Sequence, residues 1–253
     1  MKLLLTNDDG VNAAGILRLA LILKEKHEIM IVAPDSERSG FSNAMTLGAP
    51  LKLNKVALPG LSDIPTYATS GTPVDCVKLA LGQLRFVPDL VVSGINMGAN
   101  LGTDAIYSGT VSSAMEGALN NLAGLAVSCC SKTPNYLETA AHYAKWAVEF
   151  MEAEGIAART LISVNVPDIP LCDVKGIKVA PLSFQSFKRD FIEFSDPHGR
   201  RWYFSNSQRL PAPESPTYDD DWYVRGNYVA VTPITLDLTD FKKLESLKNA
   251  IEK

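Results

Sequence analysis

The stretch "LLLTNDDG", Leu3 to Gly10, runs from an apolar, strand-like segment straight into Asn7, Asp8, Asp9 and Gly10. Two adjacent carboxylates at the end of a buried strand repel each other, and each costs free energy to desolvate unless a cation joins them. One reading is a helix N-cap, because an aspartate ahead of a helix serves its dipole and its free N–H groups. One aspartate meets that need and a second adds little. The other reading is a hard divalent cation such as Mg²⁺ or Mn²⁺, which accepts carboxylate oxygens and keeps waters for a substrate.

Outward from this stretch, strands and helices alternate. "KLLLT" reads as a strand, and Ile16, Leu19, Ala20 and Leu23 recur at helical spacing up to about Lys26. "EIMIVAP", "LKLNKVAL", "PDLVVSG", "GLAVSCC" and "LISVNVP" read as further strands. Thr72 and Pro73 predict the N-cap and first position of a helix, a helix of small residues begins near Gly109, and a long helix is expected over Pro134 to Glu154. This order predicts an α/β fold with a mostly parallel sheet flanked by helices. Ligands of such sheets sit beyond the carboxyl ends of the strands. The unusual polar clusters "NDDG", "PDSERSG" and "SGINMGAN" all fall there.

After about Pro181 the pattern changes. "FQSFKRDFIEFSDPHGRRWYFSN" alternates on both sides of the turn signal "DPHG" and predicts a long β-hairpin, Phe184 to Ser205. A Pro/Asp-rich loop, a late strand in "NYVAVTPITLDLT" and an amphipathic helix from Phe241 to Ile251 follow. The aromatic hairpin cannot cover its own apolar face, so it is expected to pack on another subunit or on the core. The expected organisation is a catalytic core over 1–181, with 182–253 as an oligomerisation arm that is not an independent domain.

Two further segments carry candidate chemistry. "APDSERSGFSNAMT" crowds Ser36, Ser39, Ser42 and Asn43 into one loop; it is either an ordinary polar loop or a source of neutral oxygen ligands and anion donors. In "SGINMGANLGTDAIYSGTVSSAMEG", Asn96 offers another neutral oxygen after a strand. Ser108, Gly109 and Thr110 open a helix, either as plain caps or as a phosphate cradle. No lysine follows these glycines as in a Walker motif, and the spacing is not that of a dinucleotide fingerprint. Two carboxylates, neutral oxygens and a phosphate cradle at one strand-end site suggest metal-assisted phosphoryl hydrolysis.

Composition is ordinary for a soluble protein. The 253 residues are 46% hydrophobic and 21% charged, with a net charge of −4, which speaks against a nucleic-acid scaffold or a membrane-surface binder. No apolar run reaches the roughly 18 residues of a membrane span, and no signal-peptide pattern is seen, so a cytoplasmic location is expected. Cys76, Cys129, Cys130 and Cys172 form no CxxC and, with three histidines, no zinc spacing.

The segments "LLLTNDDG", "VAPDSERSGFSNAMTL", "GTPVDCVKLAL", "VVSGINMGANLGTDAIYSGTVSSAMEG", "SVNVP" and "VAVTPITLDLT" together resemble the SurE survival proteins, metal-dependent 5′-nucleotidases, over nearly the whole chain. The resemblance implies one divalent metal per subunit, Mg or Mn, held by Asp8, Asp9, Ser39 and Asn96. It implies a phosphate site of Asn43, Ser108, Gly109 and Thr110, and a catalytic group of Asp8, Asp9 and Asn96. It also implies a Rossmann-like core with a swapped C-terminal arm and hairpin that build a homodimer, often a tetramer. Asp220 is the best match to an aspartate in the loop before the family's last strand, and a swapped arm would bring it beside the partner's site as a substrate-binding residue. The chain departs from the family pattern where Asn227 replaces a usual glycine, where Trp222 stands at a position that histidine can occupy, and where Ser112 and Ser113 replace a Gly/Ala pair.

The resulting expectation is a phosphohydrolase acting on nucleoside 5′-monophosphates through a metal-activated water. Its alternatives are a phosphatase with an Asp-phosphate intermediate, which needs an Asp-x-Asp spacing, and a Mg-binding receiver-like regulator. Receivers are about half this length.

Overall fold

In the computed structural model, which describes residues 1–155, 157–184, 187–188, 190–206, 208–210 and 216–252, the opening stretch forms the strand Lys2–Thr6 (β1) near the middle of a nine-stranded sheet. The elements that follow are Ala14–Leu23 (α1), Glu28–Pro34 (β2), Leu53–Val56 (β3), Thr66–Thr69 (β4), Pro73–Gly82 (α2), Leu90–Met97 (β5), Gly109–Leu119 (α3), Ala123–Cys129 (β6), Leu137–Ala153 (α4) and Leu161–Val166 (β7). After these come Ile177–Val179 (β8), Phe187–Lys188 (β9), Phe191–Ser195 (β10), Arg201–Ser205 (β11), Gln208–Arg209 (β12), Asp220–Arg225 (α5), Val229–Ile234 (β13) and Phe241–Ile251 (α6). The large sheet runs β3-β4-β2-β1-β5-β6-β7-β13-β8. Only the β3–β4 and β7–β13 pairs are antiparallel.

The alternation along β1 builds both faces. Leu3 and Leu5 pack with α1 and α4 residues such as Ile16, Leu19, Ala140 and Ala144. Leu4 points the other way, to Cys76, Val77 and Ala80 of α2. The strand order reverses at the parallel pair β1 and β5: β2 and β4 lie on one side of β1, while β5, β6 and β7 lie on the other. The crevice beyond the carboxyl ends of β1 and β5 is therefore the topological switch point, where α/β sheets bind ligands.

Local signals explain several boundaries. Thr72 caps α2, and with Asp75 it forms a reciprocal capping box ahead of Pro73. Helix α4 starts at Leu137 rather than near Pro134, because the Asp168 carboxylate takes the Asn135 and Tyr136 amides at 3.0 and 2.7 Å and holds them out of the helix. The boundary at residue 181 does not divide the sheet. β13, the late strand, lies between β7 and β8 and hydrogen-bonds to both, so that part of 182–253 belongs to the core. Asn227, where a glycine is usual, takes φ +68, a left-handed conformation that asparagine tolerates.

The hairpin is present as β10 and β11, with Ser195 opposite Arg201. Asp196 fastens its turn, accepting from the His198 and Arg200 amides at 2.9 and 3.0 Å and from Arg200 Nε at 2.7 Å. All ten strand residues are exposed, and Phe194 stacks on Trp202 and Phe204. Residues 185, 186 and 189 of the expected hairpin and 211–215 of the acidic loop lie outside the described residues. No described helix is long and apolar enough to cross a membrane.

Candidate active site

At the switch point Asn7 shapes the turn after β1: its Oδ1 accepts from the Gly10 amide and its Nδ2 donates to the Gly10 carbonyl. Asp8 and Asp9 are thereby presented to a cavity of about 770 Å³ lined from β1, the loop after β2, the end of β5 and the approach to α3. Asp8 is buried. Its Oδ1 accepts the Thr110 hydroxyl at 2.5 Å, and its carboxylate lies so close over Gly109 that a Cβ there would come within 2.8 Å of Asp8 Cβ and 2.9 Å of Oδ2. Glycine at 109 is what lets α3 approach the carboxylate. Asp9 Oδ2 accepts the Met97 amide at 3.3 Å.

The electrostatics are unbalanced. Among the described residues no lysine or arginine pairs with Asp8 or Asp9. Burial pushes the Asp8 carboxyl up against the opposing pull of Thr110. Asp9 is pushed up to about 6, first by burial and then by the Asp8 charge. Such a pair is costly as dianion and suited to a cation. The donor set fits a hard divalent ion: two carboxylates, the Asn96 amide and the Ser39 hydroxyl line one cavity. Among the described residues no three His, Cys, Asp or Glu side chains are grouped to hold a metal ion, so the donor set rests on two carboxylates and neutral oxygens.

The remaining expected residues divide. Asn96 lies at the end of β5; its Nδ2 donates to the Gly98 carbonyl at 2.8 Å, which leaves the carbonyl end of its amide for another partner. Ser39 is exposed on the cavity wall and donates to Glu37 Oε1 at 2.8 Å. Ser108 lines the cavity and caps α3, accepting from the Val111 amide at 3.1 Å. Capping and phosphate binding are compatible there, because the cap uses the oxygen and leaves the proton. Gly109 and Thr110 stand behind Asp8 instead of on the cavity lining, so Thr110 acts as a holder of Asp8.

Asn43 is exposed and off the cavity lining. Ser42, at φ +51, hooks the loop to the Ile106 and Tyr107 carbonyls.

Asp220, expected as a substrate-binding residue, lies off the cavity lining of its own chain. It is 0% exposed and accepts the Gly102 amide at 2.7 Å, the Ser183 amide at 2.8 Å and the Asp221 amide at 2.8 Å. A carboxylate saturated by backbone donors is a clamp, and this one joins its own chain's 102 and 183 segments. A Cβ at Gly102 would sit 2.2 Å from the Ser183 carbonyl, so the two segments touch.

Among the cavity-wall residues that the sequence does not single out are Asn100, whose backbone and side chain lock to Asn165 and Ser128, and Lys132. The available signal was position, since each follows the carboxyl end of a central strand.

The family model of the survival protein SurE matches residues 3–189. The chain belongs to the SurE family. It is 44% identical over 251 residues to the 5′-nucleotidase SurE of Stenotrophomonas maltophilia (strain R551-3), covering 98% of this chain and 94% of that protein. It is 41% identical over 252 residues to the 5′-nucleotidase SurE of Legionella pneumophila (strain Paris), covering 99% and 97%. The crystal structure of the SurE protein from Aquifex aeolicus superposes with a TM-score of 0.83 at 37% identity, covering 99% of both chains.

Proposed function

We propose that the protein is a divalent-metal-dependent 5′-nucleotidase that releases phosphate from nucleoside 5′-monophosphates. The observation that carries this reading is the Asp8–Asp9 pair, the first buried and the second half-buried, without a cationic partner among the described residues, at the switch point of a SurE-family fold. Asp8, Asp9, Asn96 and Ser39 would hold the ion. Bound there, Mg²⁺ or Mn²⁺ would neutralise phosphoryl oxygens and make water a better nucleophile.

The chain's own groups do the rest. Thr110 fixes one Asp8 oxygen and so sets the orientation of the carboxylate. Ser108 keeps its hydroxyl proton for a phosphoryl oxygen while its own oxygen caps α3. The Asn100 and Asn96 segments hold the wall opposite, against Asn165 and Gly98. The exposed aromatic hairpin supports the further reading that the protein is a homodimer or tetramer joined through this arm.

Phosphate release from AMP and GMP, measured after chelation and on adding back Mg²⁺ or Mn²⁺, tests the assignment. Metal-restored turnover is expected. Turnover that survives chelation, or acetyl-phosphate labelling of Asp8 or Asp9, would sink it in favour of an Asp-phosphate enzyme or a receiver-like regulator.

A further inference from the structure

The candidate cavity has a charge problem that the metal ligands alone do not solve. Its wall carries five carboxylates, Asp8, Asp9, Asp35, Glu37 and Asp104, and one cationic side chain, Lys132. A phosphomonoester carries about −1.5 to −2 at neutral pH. A divalent ion offsets the Asp8–Asp9 pair and Arg38 pairs with Asp35 at 3.7 Å, but neither leaves a positive charge for the phosphate, and the Thr110 hydroxyl is already committed to Asp8. Arg38, the nearby guanidinium, is turned away: its Nη2 donates to the Ser70 carbonyl at 3.1 Å and lies 3.7 Å from Asp35.

Lys132 is placed to answer this. β6 ends at Cys129, whose carbonyl accepts the Gly98 amide at 2.9 Å and the Ser131 amide at 2.7 Å, so the chain turns at once beside the Gly98 segment. The Lys132 stem passes there, with its Cγ 4.0 Å from where a Gly98 Cβ would lie. The Gly98 carbonyl is the group that positions the Asn96 amide. The lysine thus rises from the Asn96 wall, and among the described residues it has no ion pair. We infer that Lys132 is a phosphate-binding residue, its ammonium meeting the substrate's phosphoryl oxygens across the cavity from Asp8 and Asp9. This rests on the phosphohydrolase reading for its substrate and on the cavity geometry for its position. A lysine suits the task because a point charge on a four-carbon stem can follow a substrate into and out of an open cavity.

The test uses Lys132→Met and Lys132→Arg in the full chain with Mg²⁺, with inorganic phosphate as the probe in titration calorimetry, so that one readout needs no turnover. Lys132→Met is expected to weaken phosphate binding roughly 5- to 30-fold, the range between a screened surface pair and a charged hydrogen bond. KM for AMP and for p-nitrophenyl phosphate should rise by that same factor, with kcat changed less than about threefold, the mark of lost uniform binding. Lys132→Arg should keep most of the affinity, and the salt dependence of KM should flatten in Lys132→Met. Unchanged phosphate affinity in Lys132→Met overturns the assignment, as does a KM rise confined to AMP, which would put the lysine on the nucleoside. Wild-type protein that binds phosphate, loses it in Lys132→Met, and never hydrolyses AMP would overturn the nucleotidase reading while supporting Lys132.

Discussion

Asp8 and the 191–205 hairpin sit at opposite extremes of the same chain. Asp8 is 3% exposed, and its surroundings are each fixed by a particular contact: Thr110 on one oxygen, Gly109 beneath it, Arg38's amide on its carbonyl. The hairpin is well formed within itself, yet none of its strand residues is buried, and Phe191, Trp202, Tyr203 and Phe204 are each about half or more exposed. The first region brings two carboxylates together without a cationic side chain among the described residues; the second leaves its apolar area exposed.

The comparison breaks most visibly at Asp8. Asp8→Asn should lower nucleotidase activity by about three orders of magnitude or more while leaving the fold intact, because removing one charge relieves repulsion as it removes a ligand. Near wild-type turnover at saturating metal would remove Asp8 from the site. Asp220→Ala tests whether a residue of the C-terminal segment belongs to the rigid region. It would leave the Gly102 and Ser183 amides buried without their acceptor, and chemical denaturation should show a loss of about 2–4 kcal/mol. An unchanged unfolding midpoint would mean that the clamp is dispensable.

Thr110→Val keeps volume and removes the hydroxyl on Asp8. Metal affinity and activity should fall about 10- to 100-fold, the effect of losing an orienting hydrogen bond behind a ligand. Lowered thermal stability with unchanged metal affinity would place Thr110 outside the site's function.

Asp9 sharpens the electrostatic side. Its carboxyl is raised from 3.8 to about 6 by the fold, so between those pH values the folded state holds more protons than the unfolded one. The cost of ionising it is absent below about pH 4 and complete above about pH 6. Asp9→Asn should therefore stabilise the metal-free protein by roughly 1–3 kcal/mol at pH 7.5, with the gain fading as pH falls toward 4. Saturating Mg²⁺ should shrink that gap, because it stabilises only the wild-type site fully. Melting curves that keep the same separation from pH 4 to 7.5 would contradict the raised carboxyl.

The smallest effect on a single chain belongs to the hairpin. Replacing residues 191–205 with a short Gly/Ser linker should change unfolding free energy by less than about 1 kcal/mol, since little apolar area is buried there. Light scattering should nevertheless show a smaller species. An unchanged association state would put the main contact elsewhere.

How much of this was legible in the sequence follows from range. Strands β1, β2, β5, β6 and β7 are short apolar runs closed by turn residues, and Thr72–Pro73 marks α2 by adjacent residues alone. The α6 bounds, Phe241 to Ile251, follow from amphipathic spacing. β4 was missed because "TYAT" is four residues long with two threonines, and its strand character comes from pairing with β2 and β3. α5 is a six-residue helix inside an Asp-rich loop, too brief for periodicity to register.

At the site, the carboxylates and Asn96 were visible from position after a strand. The roles of Thr110 and Asp220 depend on partners 102 and 118 residues away in the chain, which no local pattern encodes.

The Asp220 clamp also has a consequence in time. Synthesis proceeds from the N-terminus, so β1, β5, α3 and β7 exist before residue 220 does. A growing chain that has reached the end of β7 already carries Asp8, Asp9 and Asn96, but its Gly102 amide lacks the acceptor that pins the approach to α3. The same unfinished chain lacks β13, which covers the open edge of β7. The wall of the cavity is thus fastened only late in chain growth, and a chain cut short before residue 220 would carry both carboxylates without the acceptor that holds the Gly102 loop.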